Sequence, residues 1–257
     1  MFLSCICLFK IICGNIIHHP NRIYKLNFLR YDMPYQTEER MVPNMKEAIQ
    51  TLLTSDKMAH AFEYLKQDEA HTIDQQIELV QISSFSPFEE KRAIRFKELL
   101  TEAGLDPVMD EVHNVYAHIH GTGNGPTLYV SAHLDTVFPP ETPLPVKREG
   151  TKIYAPGIGD DTRGLAEILT LARAIKESGL KPVGDIIIGG NVGEEGLGDL
   201  RGMRHFFSKN ADKVDGFISV DGAGCLICHG GTGSHRYEVT FRGPGGHSFG
   251  AFGLVNP

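Results

Sequence analysis

No block of five or six like charges occurs in the 257 residues, and 25 basic residues face 32 acidic ones for a formal charge of −7. Without a basic block there is no electrostatic reason to expect nucleic acid or an anionic membrane as a partner. The apolar stretch Phe2 to Ile17 is interrupted by Lys10 and falls short of the about 20 residues that a bilayer-crossing helix needs. It also lacks a clear positive n-region and a small-residue cleavage site, so no secretory signal is expected. The five cysteines are odd in number and lie at Cys5, Cys7, Cys13, Cys225 and Cys228, which excludes a disulfide framework. Cys225-x-x-Cys228 has neither a second pair nor a nearby His-x3-His, so it is read as a buried or incidental pair and not as a structural zinc site. Reduced thiols in a cytoplasm are the expectation. A nucleotide site is disfavoured as well: Gly121 to Gly125 lacks the Lys-Ser/Thr of a phosphate loop and runs into a strand instead of a helix.

What is present is a globular composition. The 41% apolar content supports a core for one large domain, or for one domain and part of another. Residues 1–44 are read as an N-terminal extension ahead of the fold. From Met45 to Ala70 the apolar residues recur at helical spacing, for one or two helices. Thr72 is expected to cap the next helix. Ser86-Pro87, with Glu89 and Glu90 in the first turn, is expected to open a third that stops at Gly104. Strand-like runs follow at 107–112, 114–120 and 127–130, with a hairpin at 146–148 and 152–154. Gly164 to Ser178 reads as a helix, 185–189 as a strand, Asp199 as the cap of a helix running to Phe207, and 216–220 as a further strand. Strands alternating with helices imply an α/β fold, a three-layer sandwich around a mostly parallel sheet. From Gly230 the pattern changes. Gly230 to Gly233 reads as a linker, and Tyr237 to Phe241 as the first strand of a small α+β domain over 233–257, after a catalytic domain over 45–232.

Four of the strand-like segments end in metal-ligand residue types: Ser131-Ala-His-Leu-Asp135, Gly157-Ile-Gly-Asp-Asp161, Gly193-Glu-Glu-Gly196 and Val220-Asp-Gly222. In an open α/β sheet, residues at the carboxyl ends of the strands converge on one cleft, however distant in sequence. Imidazole nitrogen and carboxylate oxygen suit zinc, and two zincs about 3.5 to 4 Å apart can share a carboxylate and hold a hydroxide between them. Cobalt and manganese also suit this donor set. His133 can bind through one ring nitrogen while Asp135 fixes its tautomer through the other. Asp160, in a glycine-bounded turn, can bridge. Of the neighbours Glu194 and Glu195, one can bind metal while the other takes a proton from the attacking water. Asp221 can complete a shell.

With the motifs in this order, the sequence from about residue 72 onward resembles the co-catalytic zinc exopeptidases and amidohydrolases, the family of peptidase T, carboxypeptidase G, acetylornithine deacetylase and succinyl-diaminopimelate desuccinylase. The resemblance implies two zinc ions, with His133 and Asp221 on one, Glu195 on the other and Asp160 bridging. It implies Glu194 as general base, Asp135 as the partner of His133, and a cis peptide between Asp160 and Asp161. It further implies that the small domain is a lid and dimer interface, that the full-length form is a homodimer, and that His247 in Gly245-Gly-His-Ser248 reaches the substrate. The expected activity is hydrolysis of an amide bond in a small peptide, as by an aminopeptidase or tripeptidase. An N-acyl-amino-acid deacylase or carboxypeptidase stays open within the same chemistry, and a non-catalytic fragment or binding partner outside it. Such enzymes supply a last histidine to the second zinc after the lid. The sequence ends at Asn256-Pro257 before that point, so it reads as truncated and is expected to be impaired or inactive.

Overall fold

The computed structural model describes residues 45–123, 125–222, 227–228, 230, 233 and 237–253. The expected extension over 1–44, Cys225, Gly231 and Thr232 of the expected linker, and residues 254–257 lie outside them. The chain divides into two compact units, residues 1–225 and 226–257.

In the first unit, helices α1 (Met45–Leu53), α2 (Asp56–Gln67), α3 (Glu69–Val80) and α4 (Glu90–Glu102) lead into strands β1 (Val108–Met109), β2 (Val115–Ile119) and β3 (Leu128–His133). The hairpin β4 (Lys147–Glu149) and β5 (Lys152–Tyr154) follows, then α5 (Thr162–Glu177), β6 (Ile186–Asn191), α6 (Arg201–Asn210) and β7 (Gly216–Ser219). The sheet order is β1-β2-β6-β3-β7. The β6, β3 and β7 pairings are parallel, whereas β2 pairs with both β1 and β6 antiparallel. The α/β expectation therefore holds, in a mixed sheet whose parallel half carries the strand ends of interest.

Two apolar faces explain the three layers. Along β3, period-two alternation sends Val130 and Ala132 to one face and Tyr129 to the other. The first face packs with Ile186 and Ile188 of β6 under Leu165, Ile168 and Ala172 of α5 and Phe96 and Leu100 of α4. The second gathers Tyr129 and Ile187 around Phe206 of α6, with the Tyr129 and Phe206 rings 4.5 Å apart. Every residue of β6 is buried, as expected for a central strand covered on both faces. Gly164 lets α5 approach closely: a Cβ there would sit 2.4 Å from the Val220 carbonyl oxygen and from Asp161 Oδ1.

Several expected boundaries move. β3 extends through His133, pairing His133 with Asn191 of β6, because Ser131 and Ala132 fit a covered parallel strand as well as the apolar residues before them do. His133 is thus the last residue of the strand instead of lying past it. Thr72 lies inside α3, not at its cap: the helix starts at Glu69, and Thr72 Oγ1 donates back to the Asp68 carbonyl at 2.9 Å. Ser86-Pro87 is cis and precedes α4 without capping it, with Glu89 at the cap position. Asp199 does not cap α6; its carboxylate receives Arg204 at 2.5 Å, and Leu200 holds the cap position in left-handed backbone. In the second unit the strand expected at Tyr237 to Phe241 is absent among the described residues, and Tyr237, Val239 and Phe241 are exposed.

Candidate metal centre

His133 enters from the end of β3, and its imidazole is 2% exposed. Its Nδ1 faces Asp135, 3.0 Å from the backbone carbonyl oxygen and 3.5 Å from Oδ1 of the carboxylate. Its Nε2 lies 2.8 Å from Asp160 Oδ1. Asp160 sits in the loop between β5 and α5, with its side chain largely open to solvent and a cis peptide to Asp161, as the resemblance implies.

Asp161 is buried and caps α5, accepting from Gly164 N at 3.1 Å and, with its other oxygen, from His133 N at 2.9 Å. One carboxylate thereby welds the helix start to the strand end that bears the histidine. The Asp-x-x-Gly spacing ahead of the helical run is the N-cap signal that could have identified it.

The Glu194-Glu195 loop leaves β6 through Gly193, whose φ of +69° favours glycine. Asp135, fully buried, accepts from Glu194 N at 3.1 Å and from Glu195 N at 2.8 Å. Besides facing His133, this carboxylate therefore holds the loop that carries both glutamates, a role the sequence did not suggest. Ligand atoms of His133, Glu194 and Glu195 lie within 4.8 Å of one another, as do those of His133, Asp161 and Asp221. Of the six expected residues of the centre, His133, Glu194, Glu195 and Asp221 fall in these two groups, while Asp160 and Asp135 join through contacts with His133. His247 lies in the second unit, where its Nδ1 accepts from Phe249 N and Gly250 N at 3.2 and 3.1 Å.

The electrostatics match a site built around positive charge. Burial raises Asp161 well above the ordinary carboxylate value, against the lowering by His133, with Asp221 raising it further. Burial raises Glu194, as do Asp221, Asp135 and Asp160, and burial followed by Asp160 raises Glu195. Burial alone would lower His133, but Asp135, Asp161 and Asp160 raise it to about 10. Among the described residues, the hydrogen bonds these acids receive come from backbone N–H groups and one imidazole. Such a cluster of oxygen and nitrogen donors, in which several carboxylates crowd one imidazole, has the chemistry of a divalent-metal site.

A second group, Asp110, Glu111 and His205, also brings ligand atoms within 4.8 Å. Its charge is already answered. Lys209 pairs with Glu111, and Asp110 accepts from Val112 N, Asn114 N and Asn114 Nδ2.

Residues 129–247 match the model of peptidase family M20/M25/M40. Carboxypeptidase G2 of Pseudomonas sp. (strain RS-16) is 32% identical over 138 residues, which are 52% of this chain and 33% of that protein. The uncharacterized protein YqjE of Bacillus subtilis (strain 168) is 29% identical over 142 residues, 50% of this chain and 37% of that protein. The crystal structure of aminopeptidase PepT from Bacillus cereus ATCC 10987 superposes with a TM-score of 0.53 at 24% identity, over 61% of this chain and 44% of that one. That likeness concerns the fold. The chain thus spans about a third of the length of these two curated relatives and 44% of the PepT chain.

Proposed function

From the premise that the chain belongs, through residues 129–247, to peptidase family M20/M25/M40, we propose that it is a metal-dependent hydrolase of an amide bond in a small peptide, aminopeptidase- or tripeptidase-like, with two zinc ions as cofactor. The observation that carries this reading is the convergence of His133, Glu194, Glu195 and Asp221, with Asp160 against the same imidazole, at the carboxyl ends of β3, β6 and β7. In this proposal His133 and Asp221 hold one metal, Glu195 the other, and Asp160 both. The metal, when bound, polarises the scissile carbonyl and lowers the pKa of a water. Glu194 takes the proton from the attacking water and passes it to the leaving amine. Burial and three neighbouring carboxylates raise its pKa and so favour proton exchange nearer neutrality. Asp135 keeps His133 and the glutamate loop in register. His247 contacts the substrate, and the second unit serves as lid and dimer surface. A cytoplasmic setting belongs to the same proposal. No helix among the described residues is long and apolar enough to cross a membrane.

Carboxypeptidase or N-acyl-amino-acid deacylase action is a second reading, favoured by the 32% identity to carboxypeptidase G2. A panel of tripeptides and N-acyl amino acids separates the two by the first product released. The leading reading expects the amino-terminal residue to appear first, with the rate abolished by chelator and lowered by about 10²–10⁴ in Glu194→Ala. Release of the carboxyl-terminal residue, or of an acyl group only, replaces it with the second. No turnover by a chain that holds metal leaves a non-catalytic binding role.

A further inference from the structure

We infer that Arg201 and Glu89 form a positioning pair that sets the Glu194-Glu195 loop in place, an inference that rests on the metal-centre reading above. Arg201 is the first residue of α6. Its Nη2 meets Glu89 Oε2 at 2.5 Å, and its Nη1 donates to Ser86 Oγ at 3.1 Å. The same side chain lies directly against Gly193: a Cβ there would come within 2.6 Å of Arg201 Nη1 and 2.8 Å of its Cγ. The guanidinium is therefore wedged under the residue that precedes Glu194. The backbone closes the turn beyond it, with Gly198 N donating to Glu195 O at 2.9 Å and Arg201 N to Gly198 O at 3.0 Å.

The loop is gripped from two sides, by the Asp135 carboxylate from the end of β3 and by Arg201 from α6. The two grips share one frame, because the segment that holds Glu89 is itself tied to the residues just past β3 that include Asp135. Thr136 N donates to Ser84 O at 2.8 Å, Ser84 Oγ to Leu134 O at 2.8 Å, and the buried Arg92 to both Leu134 O and Ile82 O. Shifting Glu89 or Arg201 would thus move the two glutamates relative to His133.

The energetics argue against a role in stability alone. Glu89 is fully buried, and among the described residues its second oxygen, Oε1, has no hydrogen-bond partner. A buried ion pair with an unsatisfied oxygen is no more stabilising than a well-packed apolar pair of the same volume. What this pair supplies that an apolar pair would not is a directional link between α6 and the turn before α4, with one guanidinium nitrogen on Glu89 and the other on Ser86.

The test is zinc affinity of the 257-residue chain, measured with Zn²⁺ against a chromophoric chelator at a temperature where circular dichroism shows every variant folded. Arg201→Met is expected to weaken binding by about tenfold or more, the scale of losing an outer partner of a metal ligand, and Arg201→Lys to restore part of it. Glu89→Gln, which preserves shape, carries the same expected direction if Arg201→Met does not fold. Met58→Ala, in the core under α2, is expected to lower thermal stability with zinc affinity unchanged, which separates positioning from general destabilisation. In a Glu195→Ala background Arg201→Met is expected to add little, since the group it positions is gone. Wild-type zinc affinity in Arg201→Met and Glu89→Gln, with affinity lost in Glu195→Ala, overturns the positioning role alone. Unchanged affinity in Glu195→Ala overturns the metal-centre reading and this inference with it.

Discussion

Helix α5 meets clustered acid in two places. In its middle, Arg173 reaches Asp68 through Nη2 at 2.5 Å and Nε at 2.9 Å, Thr170 donates to the same carboxylate at 2.7 Å, and Arg173 Nη1 donates to Gln75 at 2.7 Å. At its start, Asp161, Asp160 and the two glutamates surround His133. In the first cluster burial pushes Asp68 up, but Thr170 and Arg173 outweigh it and the carboxyl ends below its ordinary value. In the second, burial and mutual repulsion win, and Asp161, Glu194 and Glu195 all end above theirs. Buried acid that carries its own cation is a brace between α2, α3 and α5. Acids that crowd a single imidazole and raise one another are a receptor for a further cation from solution.

Removing the central ligand of the receptor cluster is expected to have the largest effect. His133→Ala should lower zinc affinity beyond the ~10–100-fold that loss of an outer partner costs, read by chelator competition at a temperature where the variant is folded. The brace should respond in the opposite sense. Arg173→Met strands Asp68 and is expected to cost about 3–5 kcal/mol in urea unfolding, while the variant, where folded, binds zinc as the wild type does. Asp135→Asn keeps the shape but loses one of the two acceptors facing Glu194 N and Glu195 N, and it should weaken zinc by ~10–100-fold.

The smallest expected effect is on pH dependence. Asp68 has a native pKa below its ordinary 3.8. Its stabilisation is therefore complete above the unfolded value and is lost as the pH falls through the lower native one. The stability gap between wild type and Asp68→Asn should stay constant from about pH 7 to 5 and narrow in stronger acid. A gap that widens in acid would mean that Asp68 is not held by Arg173.

The sequence was most legible where chemistry sits at the end of a strand. The order of His133, Asp160, Glu194-Glu195 and Asp221 carried the resemblance because each motif is a short local signature, and the alternation of elements carried the α/β fold because helices and strands have fixed periods. What it concealed depends on contacts between distant segments. Asp135 was assigned to its neighbour His133, yet its carboxylate also holds the backbone of a loop 59 and 60 residues away. Arg201 and Glu89, 112 residues apart, look like surface charges in the sequence. Thr72 and Asp199 have the residue types of helix caps, but Thr72 is bound within an earlier-starting helix and Asp199 is taken by Arg204. Cap propensity is overridden wherever a side chain finds another partner.

The measurement that bears most directly on the account is zinc content of the purified 257-residue chain after equilibration with a small excess of zinc and removal of loosely bound ions, beside His133→Ala treated identically. The account predicts tightly held zinc in the first chain and its loss in the second, with both folded by circular dichroism. A folded wild-type chain that retains no zinc, or a His133→Ala chain that retains as much as the wild type, would contradict it.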